Sequence, residues 1–291
     1  MKILTLLTAL ALTLFAVPMT ARGEALPDIS YTIINGEAVI TGCSGETESL
    51  SIPGYIEGRP VTSVRDNAFY ACTSLKRIKL PETVTVMGHH CFYGCTSLEE
   101  AVLPSSLKKI GMGCFYGCTS LTEIAIPDTL ELLPDSCFRN CTSLKKVFIP
   151  QSVTKVEKFC FCGCDSLRYV SFSGRTKAIG IGAFYMCGAL DTVYIPPSVE
   201  EIGIETLGFA AEEKRTGLTI IGSKDSAAAD YSSENGIVFS EAPDSVAVFD
   251  PEDSMNAPVK LPKPLAAAGG ILFMLSTAAA IVKGLRQRRE K

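Results

Sequence analysis

The chain has 291 residues, with 27 basic and 31 acidic side chains and a formal net charge of −4. This balance gives no electrostatic reason to expect nucleic-acid binding. Hydrophobic residues make up 47% of the sequence, and part of that content lies in two apolar segments near the termini that do not belong to the folded core.

Residues 1–25 have the layout of a secretory signal peptide. A positive start at Lys2 is followed by an uncharged apolar run over residues 3–17 and then by small residues. Cleavage after Gly23 or Ala25 fits this pattern. An uncleaved membrane anchor is the alternative, although the apolar run is short for a span. The segment therefore predicts export of the chain.

Residues 26–67 predict an irregular N-terminal cap. Asn35 and Gly36 stand between two short apolar segments, which is a strong signal for a β-hairpin. The segment at residues 49–53 resembles the strand part of the repeat that follows. We therefore expect a seventh, irregular unit with an extra loop at residues 54–60.

A 23-residue unit repeats six times without a gap over residues 68–205. Its second position is always Phe, its fifth is always Cys and its eighth is always Leu. A fixed period of this length is typical of a solenoid, in which each unit buries its apolar side against its neighbours. The Phe column consists of Phe69, Phe92, Phe115, Phe138, Phe161 and Phe184.

The first half of each unit predicts a half-buried strand. Ile78 and Leu80 alternate with polar residues, and Pro81 ends the pattern because proline cannot donate to a ladder. Stacked units would place these strands about 4.8 Å apart in a parallel sheet on one side of the solenoid. Glycines in the second half predict a tight turn there, and they are Gly88, Gly111, Gly180 and Gly203.

Residues 206–240 predict a C-terminal cap, with a strand at 218–221, a helix at 225–234 and a last strand at 237–239. Gly236 is placed to end the helix. An irregular end is expected because the open end of a solenoid exposes both its core and a strand edge.

The remaining residues predict a stalk, a membrane span and a tail. Residues 241–264 contain five prolines and five acidic residues and predict a flexible stalk. Residues 265–282 carry no charge and would cover about 27 Å as a helix. The basic residues of 283–291 are expected on the cytoplasmic side. We therefore expect a single-pass protein at the cell surface, with residues 26–264 outside the cytoplasm.

The repeat resembles the BspA-like class of leucine-rich repeats. The sequence Cys-Thr-Ser-Leu occurs verbatim at Cys72, Cys95, Cys118 and Cys141, and the resemblance covers residues 68–205 closely and the caps loosely. It implies a leucine-rich-repeat solenoid on a microbial cell surface. It also implies adhesion or binding to extracellular or surface proteins, and it brings no catalytic residues.

Ten of the twelve cysteines fall in two repeat columns. Column neighbours would point the same way at a spacing of about 4.8 Å, which fits a disulfide poorly. The pattern favours buried free thiols, with disulfides and a metal site as alternatives. Cys43 and Cys162 lie outside the columns and are predicted to be the most exposed thiols. The columns are Cys72, Cys95, Cys118, Cys141, Cys164 and Cys187, and Cys91, Cys114, Cys137 and Cys160.

Outward-facing strand residues are the candidates for ligand contact. Three aromatic side chains in the last three units are flanked by basic ones, and aromatic and Arg residues are the usual anchors of protein interfaces. The alternative is that they are ordinary strand residues, since Tyr and Phe favour sheets. The candidates are Phe148, Tyr169, Tyr194, Lys146, Arg168, Arg77 and Lys79. Another column is predicted to be a half-buried structural stripe, and it consists of Tyr70, Tyr93, Tyr116 and Tyr185.

The sequence gives no support for catalysis. His89 and His90 are adjacent and have no recognisable partner motif, and no Gly-rich phosphate loop is present. We therefore predict a protein that is not an enzyme, without catalytic residues, cofactor or metal.

Two alternatives to a membrane-anchored binding protein remain. Residues 261–264 (Leu-Pro-Lys-Pro) resemble the wall-sorting signals recognised by sortases, but the Thr-Gly that those enzymes cut is missing. The other alternative is a structural role, in which the solenoid assembles with partners from its own cell.

Overall fold

The chain folds as a β-solenoid of about eight turns, seen in a computed structural model that describes residues 28–43, 46–172, 174–210, 213–214 and 217–242. The predicted signal peptide, span and tail lie outside the described residues, as does the predicted stalk beyond residue 242. Within the described part, no helix is both long enough and apolar enough to cross a membrane.

Two hairpins build the N-terminal end. The predicted hairpin is present, and both Asn35 and Gly36 have positive φ, at 51° and 84°, as a type I′ turn requires. The predicted extra loop is a second, smaller antiparallel hairpin. The strands here are β1 (Ile29–Ile34), β2 (Glu37–Cys43), β3 (Ser49–Ser51), β4 (Tyr55–Ile56) and β5 (Arg59–Val64).

The regular units contribute short strands from both of their halves. In chain order they are β6 (Arg77–Lys79), β7 (Val86–Met87), β8 (Glu100–Val102), β9 (Lys109–Ile110), β10 (Leu132–Leu133), β11 (Lys146–Ile149), β12 (Lys155–Val156), β13 (Tyr169–Phe172), β14 (Ala178–Ile179), β15 (Thr192–Tyr194) and β16 (Glu201–Ile202).

The C-terminal end contains the one helix of the described residues. Strands β17 (Phe209–Ala210) and β18 (Glu213–Lys214) form a hairpin that the sequence did not predict. Strand β19 (Thr219–Gly222), helix α1 (Ala227–Asn235) and strand β20 (Val238–Glu241) follow, close to their predicted places. Gly236 ends the helix in the left-handed conformation, with φ at 53°.

Parallel ladders run along both sides of the solenoid. On one side β3, β6 and β8 form a three-stranded sheet, and β11, β13, β15, β19 and β20 form a five-stranded sheet. On the other side the short strands pair in the orders β5-β7-β9 and β10-β12-β14-β16. The prediction placed a parallel sheet on one side only. The structure differs because stacking at a constant period aligns both halves of consecutive units.

Both ladders are interrupted at the third regular unit, where described residues 121–127 form no strand. Pro134 accounts for the gap between β9 and β10. At the equivalent position of other units the backbone amide donates to the preceding unit, as Gly88 does to the carbonyl of Val64 at 2.9 Å. Proline has no N–H, so the corresponding bond to Ile110 cannot form.

The invariant Phe side chains form a continuous stack in the core. Each ring is at most 1% exposed. Successive centroids lie 4.9 to 5.4 Å apart, and the ring planes are within 8° of parallel. The stack passes through the third unit unbroken, so the core is continuous where the ladders are not.

The cysteines at the fifth position of the repeat are hydrogen-bonded thiols. The sulfur of Cys118 lies 3.1 Å from the carbonyl oxygen of Phe92, and the same contact recurs at 3.0 to 3.2 Å in the other units from Cys95 to Cys187. Burial raises the pKa of Cys95 and Cys141 to about 12. These thiols therefore keep the proton that they donate to the backbone.

The cysteines at the first position occupy a similar site. The sulfur of Cys91 lies 3.2 Å from the carbonyl oxygens of Arg65 and Gly88. In the C-terminal cap Thr206 stands at this position, and its hydroxyl donates to the equivalent carbonyls, with Gly180 at 2.9 Å. A small side chain with one hydrogen-bond donor therefore fits this column. The cysteines in it are free and buried, as predicted.

The column of glycines in the second half is explained by close approach rather than by a turn. None of its four members has positive φ. A Cβ at Gly111 would lie 2.4 Å from the backbone of Gly88, and one at Gly203 would lie 2.4 Å from the amide nitrogen of Ile181. The absence of a side chain therefore lets consecutive turns stack.

A left-handed residue occurs at the fourth position of every regular unit. Glycine fits this conformation without strain, whereas Ala71 adopts it with φ at 53°. We expect Ala71→Gly to raise the free energy of unfolding by about 0.5–1 kcal/mol, because Ala71 is exposed and loses no packing. Urea denaturation would measure the change.

The matched control is Ala178→Gly in β14, where φ is not positive. This substitution should destabilise the protein, because it adds backbone freedom without relieving strain. Equal losses of stability in both variants would show that the left-handed position carries no strain.

Candidate binding surface

Three aromatic side chains lie together on the outer face of the five-stranded sheet. We call Phe148 on β11, Tyr169 on β13 and Tyr194 on β15 the aromatic patch. They face outward because alternate residues such as Val147 and Val193 are buried in the core, at 0% and 1% exposure. The rings of Phe148 and Tyr169 have centroids 5.8 Å apart and are tilted by 57°. The three side chains are half-buried.

Ser171 forms the floor of the aromatic patch. It pairs with Phe148 in the register of β11 and β13 and is only 9% exposed. Burial raises the pKa of Tyr169, and this effect is larger than that of the hydrogen bond with Ser171, which acts in the opposite direction. Burial also raises the pKa of Tyr194. Both phenols therefore stay protonated at neutral pH and can donate to a partner.

Basic side chains border the patch on one side. Lys146 pairs with Tyr169 in the sheet register, and its ammonium lies 4.0 Å from a carboxylate oxygen of Glu123. Arg168 precedes Tyr169 and is exposed. Since exposed ion pairs contribute little to stability, these cations remain available to an acidic group of a partner.

The structure does not bring all candidate residues together. Arg77 and Lys79 are exposed on β6, in the separate three-stranded sheet. Arg77 stands four units from Tyr169, a separation of about 19 Å at the spacing of parallel strands. Because the third unit interrupts the sheet between them, these two basic residues do not belong to the aromatic patch.

A second aromatic column was predicted as a half-buried stripe. The rings of Tyr70, Tyr93 and Tyr116 stack with centroids 5.0 and 4.6 Å apart, and Tyr70 at the open end is 54% exposed. Arg139 continues this column, although it was not among the predicted members. Its guanidinium carbon lies 5.8 Å from the Tyr116 ring centroid and 5.4 Å from that of Phe159. The repeat position of Arg139 was the available signal.

The stacked column offers less to a ligand than the aromatic patch does. Because its rings cover one another, Tyr93 and Tyr116 present edges and hydroxyls rather than faces. One hydroxyl is already engaged, since the amide of Asn140 donates to Tyr116 at 3.3 Å.

The prediction of exposed thiols is wrong for one of its two residues. Cys162 is 4% exposed, because its short side chain stands in the column otherwise occupied by Tyr and Arg, next to Arg139. Cys43 is half-buried and touches Cys72. Within the described residues, no group of three or more His, Cys, Asp or Glu is arranged to hold a metal ion.

Comparison with known proteins agrees with the repeat architecture. The family described as BspA type leucine rich repeat region matches in six copies, over residues 41–133 and 85–211, which together span more than half of the chain. No curated protein matches the chain.

Solved bacterial structures show similar folds. A leucine rich cell surface protein from Faecalibacterium prausnitzii A2-165 is 30% identical, with a TM-score of 0.58, over 68% of this chain and 54% of that one. A leucine-rich repeat protein from Bacteroides ovatus is 25% identical, with a TM-score of 0.54, over 67% and 54%. This chain therefore spans about half the length of these two proteins.

Proposed function

The chain belongs to the BspA-type leucine-rich repeat family, and on that basis we propose that it is a membrane-anchored cell-surface protein that binds another protein through its aromatic patch. The patch carries the proposal because it combines aromatic side chains on three consecutive strands with neighbouring cations on one sheet face. Repeat solenoids commonly use such extended surfaces for binding.

The chemistry of the patch favours a protein partner with an apolar segment and an acidic group. Phe148 and Tyr194 offer partly exposed apolar surface, and the phenol of Tyr194 remains protonated. Arg168 offers a planar cation that binds carboxylates in a bidentate way. A sheet held on both sides by its neighbouring units loses little freedom on binding, which favours affinity.

The proposed location is supported by the ends of the chain and by one relative. Residues 1–25 have the pattern of a signal peptide, and residues 265–282 with the basic tail have that of a single span. The similar protein from Faecalibacterium prausnitzii is described as a cell surface protein. On this proposal the repeats lie outside the cytoplasm and the span keeps them at the membrane.

A binding screen tests the proposed function. Full-length protein in mild detergent would be applied to an array of extracellular-matrix proteins, plasma proteins and glycans. We expect saturable binding to a protein ligand, weakened at least tenfold by Phe148→Ala combined with Tyr194→Ala, because aromatic anchors contribute most of the energy of an interface.

Arg168→Glu provides a test that leaves the aromatic packing intact. It should weaken binding, whereas Arg175→Glu, the same charge change at an exposed residue of the same unit outside the patch, should not. Equal effects of the two charge reversals would contradict use of this face. Absence of any ligand for a folded, monomeric protein would favour a structural role with partners from its own cell.

A further inference from the structure

Two thiols lie against each other where the N-terminal hairpin meets the first regular unit. The sulfur atoms of Cys43 and Cys72 are 3.0 Å apart. Cys43 is the last residue of β2, and both side chains are half-buried. A disulfide has an S–S length of about 2.05 Å, so the two sulfur atoms need to approach by about 1 Å to be joined.

Cys72 differs from the other members of its column because of what precedes it. Cys95 contacts the carbonyl of Phe69 in the preceding unit at 3.0 Å, and the later members repeat that contact. The residues before the first regular unit form an irregular cap instead of another such unit, and the Cys72 thiol contacts Cys43 there. The repeat pattern is thus broken at the member of the column whose sulfur contacts that of Cys43.

We propose that Cys43 and Cys72 form a disulfide that fastens the N-terminal hairpin to the first repeat. The two thiols together give up two electrons and two protons to an acceptor disulfide, which is either that of a thiol–disulfide oxidoreductase or a small oxidised thiol. One S–S bond forms in the protein, the acceptor's S–S bond breaks, and two acceptor thiols are released. An exported chain meets such acceptors outside the cytoplasm, and that location of the repeats rests on the proposed function.

The exchange takes two steps. One of the two thiols first becomes bonded to the acceptor through a mixed disulfide. The sulfur of the other thiol then attacks that mixed disulfide, and its proton passes to the departing acceptor thiolate.

Burial makes the exchange selective. Cys91 and Cys114 also interact, since a hydrogen bond with Cys91 helps to raise the pKa of Cys114. Both are 0% exposed, however, so an acceptor disulfide cannot reach them in the folded protein. As neighbours in a stack they also point the same way, which is unsuitable for a bridge.

The crosslink would protect the end of the solenoid at which unfolding can begin. Repeat proteins contact only their sequence neighbours, so terminal units open first. The bond would close a loop of about 30 residues that contains β3, β4 and β5, and a loop of this length restricts the unfolded chain considerably. Reduction should therefore lower the Tm by about 5–10 °C.

Mass spectrometry of the full-length protein tests the proposal directly. The folded protein would be incubated with oxidised glutathione, denatured and alkylated. We expect ten of the twelve cysteines to be alkylated, and the peptides that contain Cys43 and Cys72 to be linked. Reduction beforehand should restore twelve alkylated cysteines and lower the Tm as stated.

Variants separate this bond from the other thiols. Cys43→Ser combined with Cys72→Ser should abolish the reduction-dependent change in Tm, whereas Cys95→Ala should keep it. Twelve alkylated cysteines after oxidation, or a link between a different pair, would overturn the proposal. The peptide result needs no variant, so it decides the matter even if a variant does not fold. It is also independent of whether the aromatic patch binds a partner.

Discussion

Phe138→Ala should lower the free energy of unfolding by about 3–5 kcal/mol. The ring of Phe138 is 1% exposed and lies between those of Phe115 and Phe161, at centroid distances of 5.4 and 5.2 Å. Truncation removes both ring contacts and leaves a cavity that the rigid stack cannot close. In a solenoid this also weakens both interfaces of a central unit.

Phe69→Ala is the matched control because the chemistry is identical but the position is terminal. Within the Phe stack, Phe69 contacts Phe92 alone. We therefore expect a smaller loss of unfolding free energy for Phe69→Ala than for Phe138→Ala. Urea denaturation followed by far-UV circular dichroism measures both. A loss at Phe69 equal to or larger than that at Phe138 would contradict the view that stacking on two neighbours stabilises the centre.

The repeat period made most of the core predictable. With a period of 23 residues, each invariant column must meet itself in the next unit, so Phe69 and its equivalents could be assigned to a common buried row before any coordinates. Buried thiols were predictable from the period in the same way. Their hydrogen bonds were not predictable, because the carbonyl that accepts from Cys118 belongs to Phe92, 26 residues earlier. That pairing depends on the direction of the backbone.

Local backbone geometry was less accessible from the sequence. The left-handed fourth position is occupied by Gly in three units but by Ala71, Asn140 and Met186 in the others, so residue type alone does not reveal it. The glycines of the second half suggested a turn, whereas Gly111 is required by the close approach of the preceding unit's backbone at Gly88. Contacts between units override local preference at these positions.

The sequence predicted that the candidate side chains face outward, but not which of them lie close together. Alternation along the strands placed Phe148, Tyr169 and Tyr194 outward, as the structure does. Two other candidates, Arg77 and Lys79, lie apart from them in the three-stranded sheet. Their separation follows from the distance along the stack and from the missing strand at residues 121–127, and the strand pattern of that unit gave no indication of the gap.

Raising the pH above about 9 should unfold the reduced protein steeply. An unfolded thiol has a pKa of about 8.5, and burial raises the pKa of Cys72, of Cys162 and of seven further thiols in the folded chain. Above about pH 8.5 each thiol therefore keeps its proton in the folded state and loses it in the unfolded state. The free energy of unfolding has its full value below pH 8.5, and above that pH it falls by about 1.4 kcal/mol per pH unit for each thiol. The seven are Cys95, Cys114, Cys118, Cys137, Cys141, Cys160 and Cys164.

The combined effect is large compared with the stability of the domain. The free energy of unfolding of a protein is typically about 5–15 kcal/mol. The thiols together would remove this amount within about one to two pH units above pH 8.5, before the pH reaches the folded pKa of about 12 for Cys95 and Cys141. Free energies of unfolding in urea at pH 8, 9 and 10, with a reductant present, would measure the slope.

A triple substitution at the first repeat position isolates the thiol contribution. Ala68 and Ala183 already occupy this position in two units, so Cys114→Ala, Cys137→Ala and Cys160→Ala together should preserve the fold. They should reduce the slope by about 4 kcal/mol per pH unit. Lysine and tyrosine side chains titrate equally in the unmodified protein and in the triple variant. The difference between the two slopes therefore comes from the three thiols alone. An unchanged slope would mean that these thiols ionise in the folded state, and would contradict their role as buried, protonated packing groups.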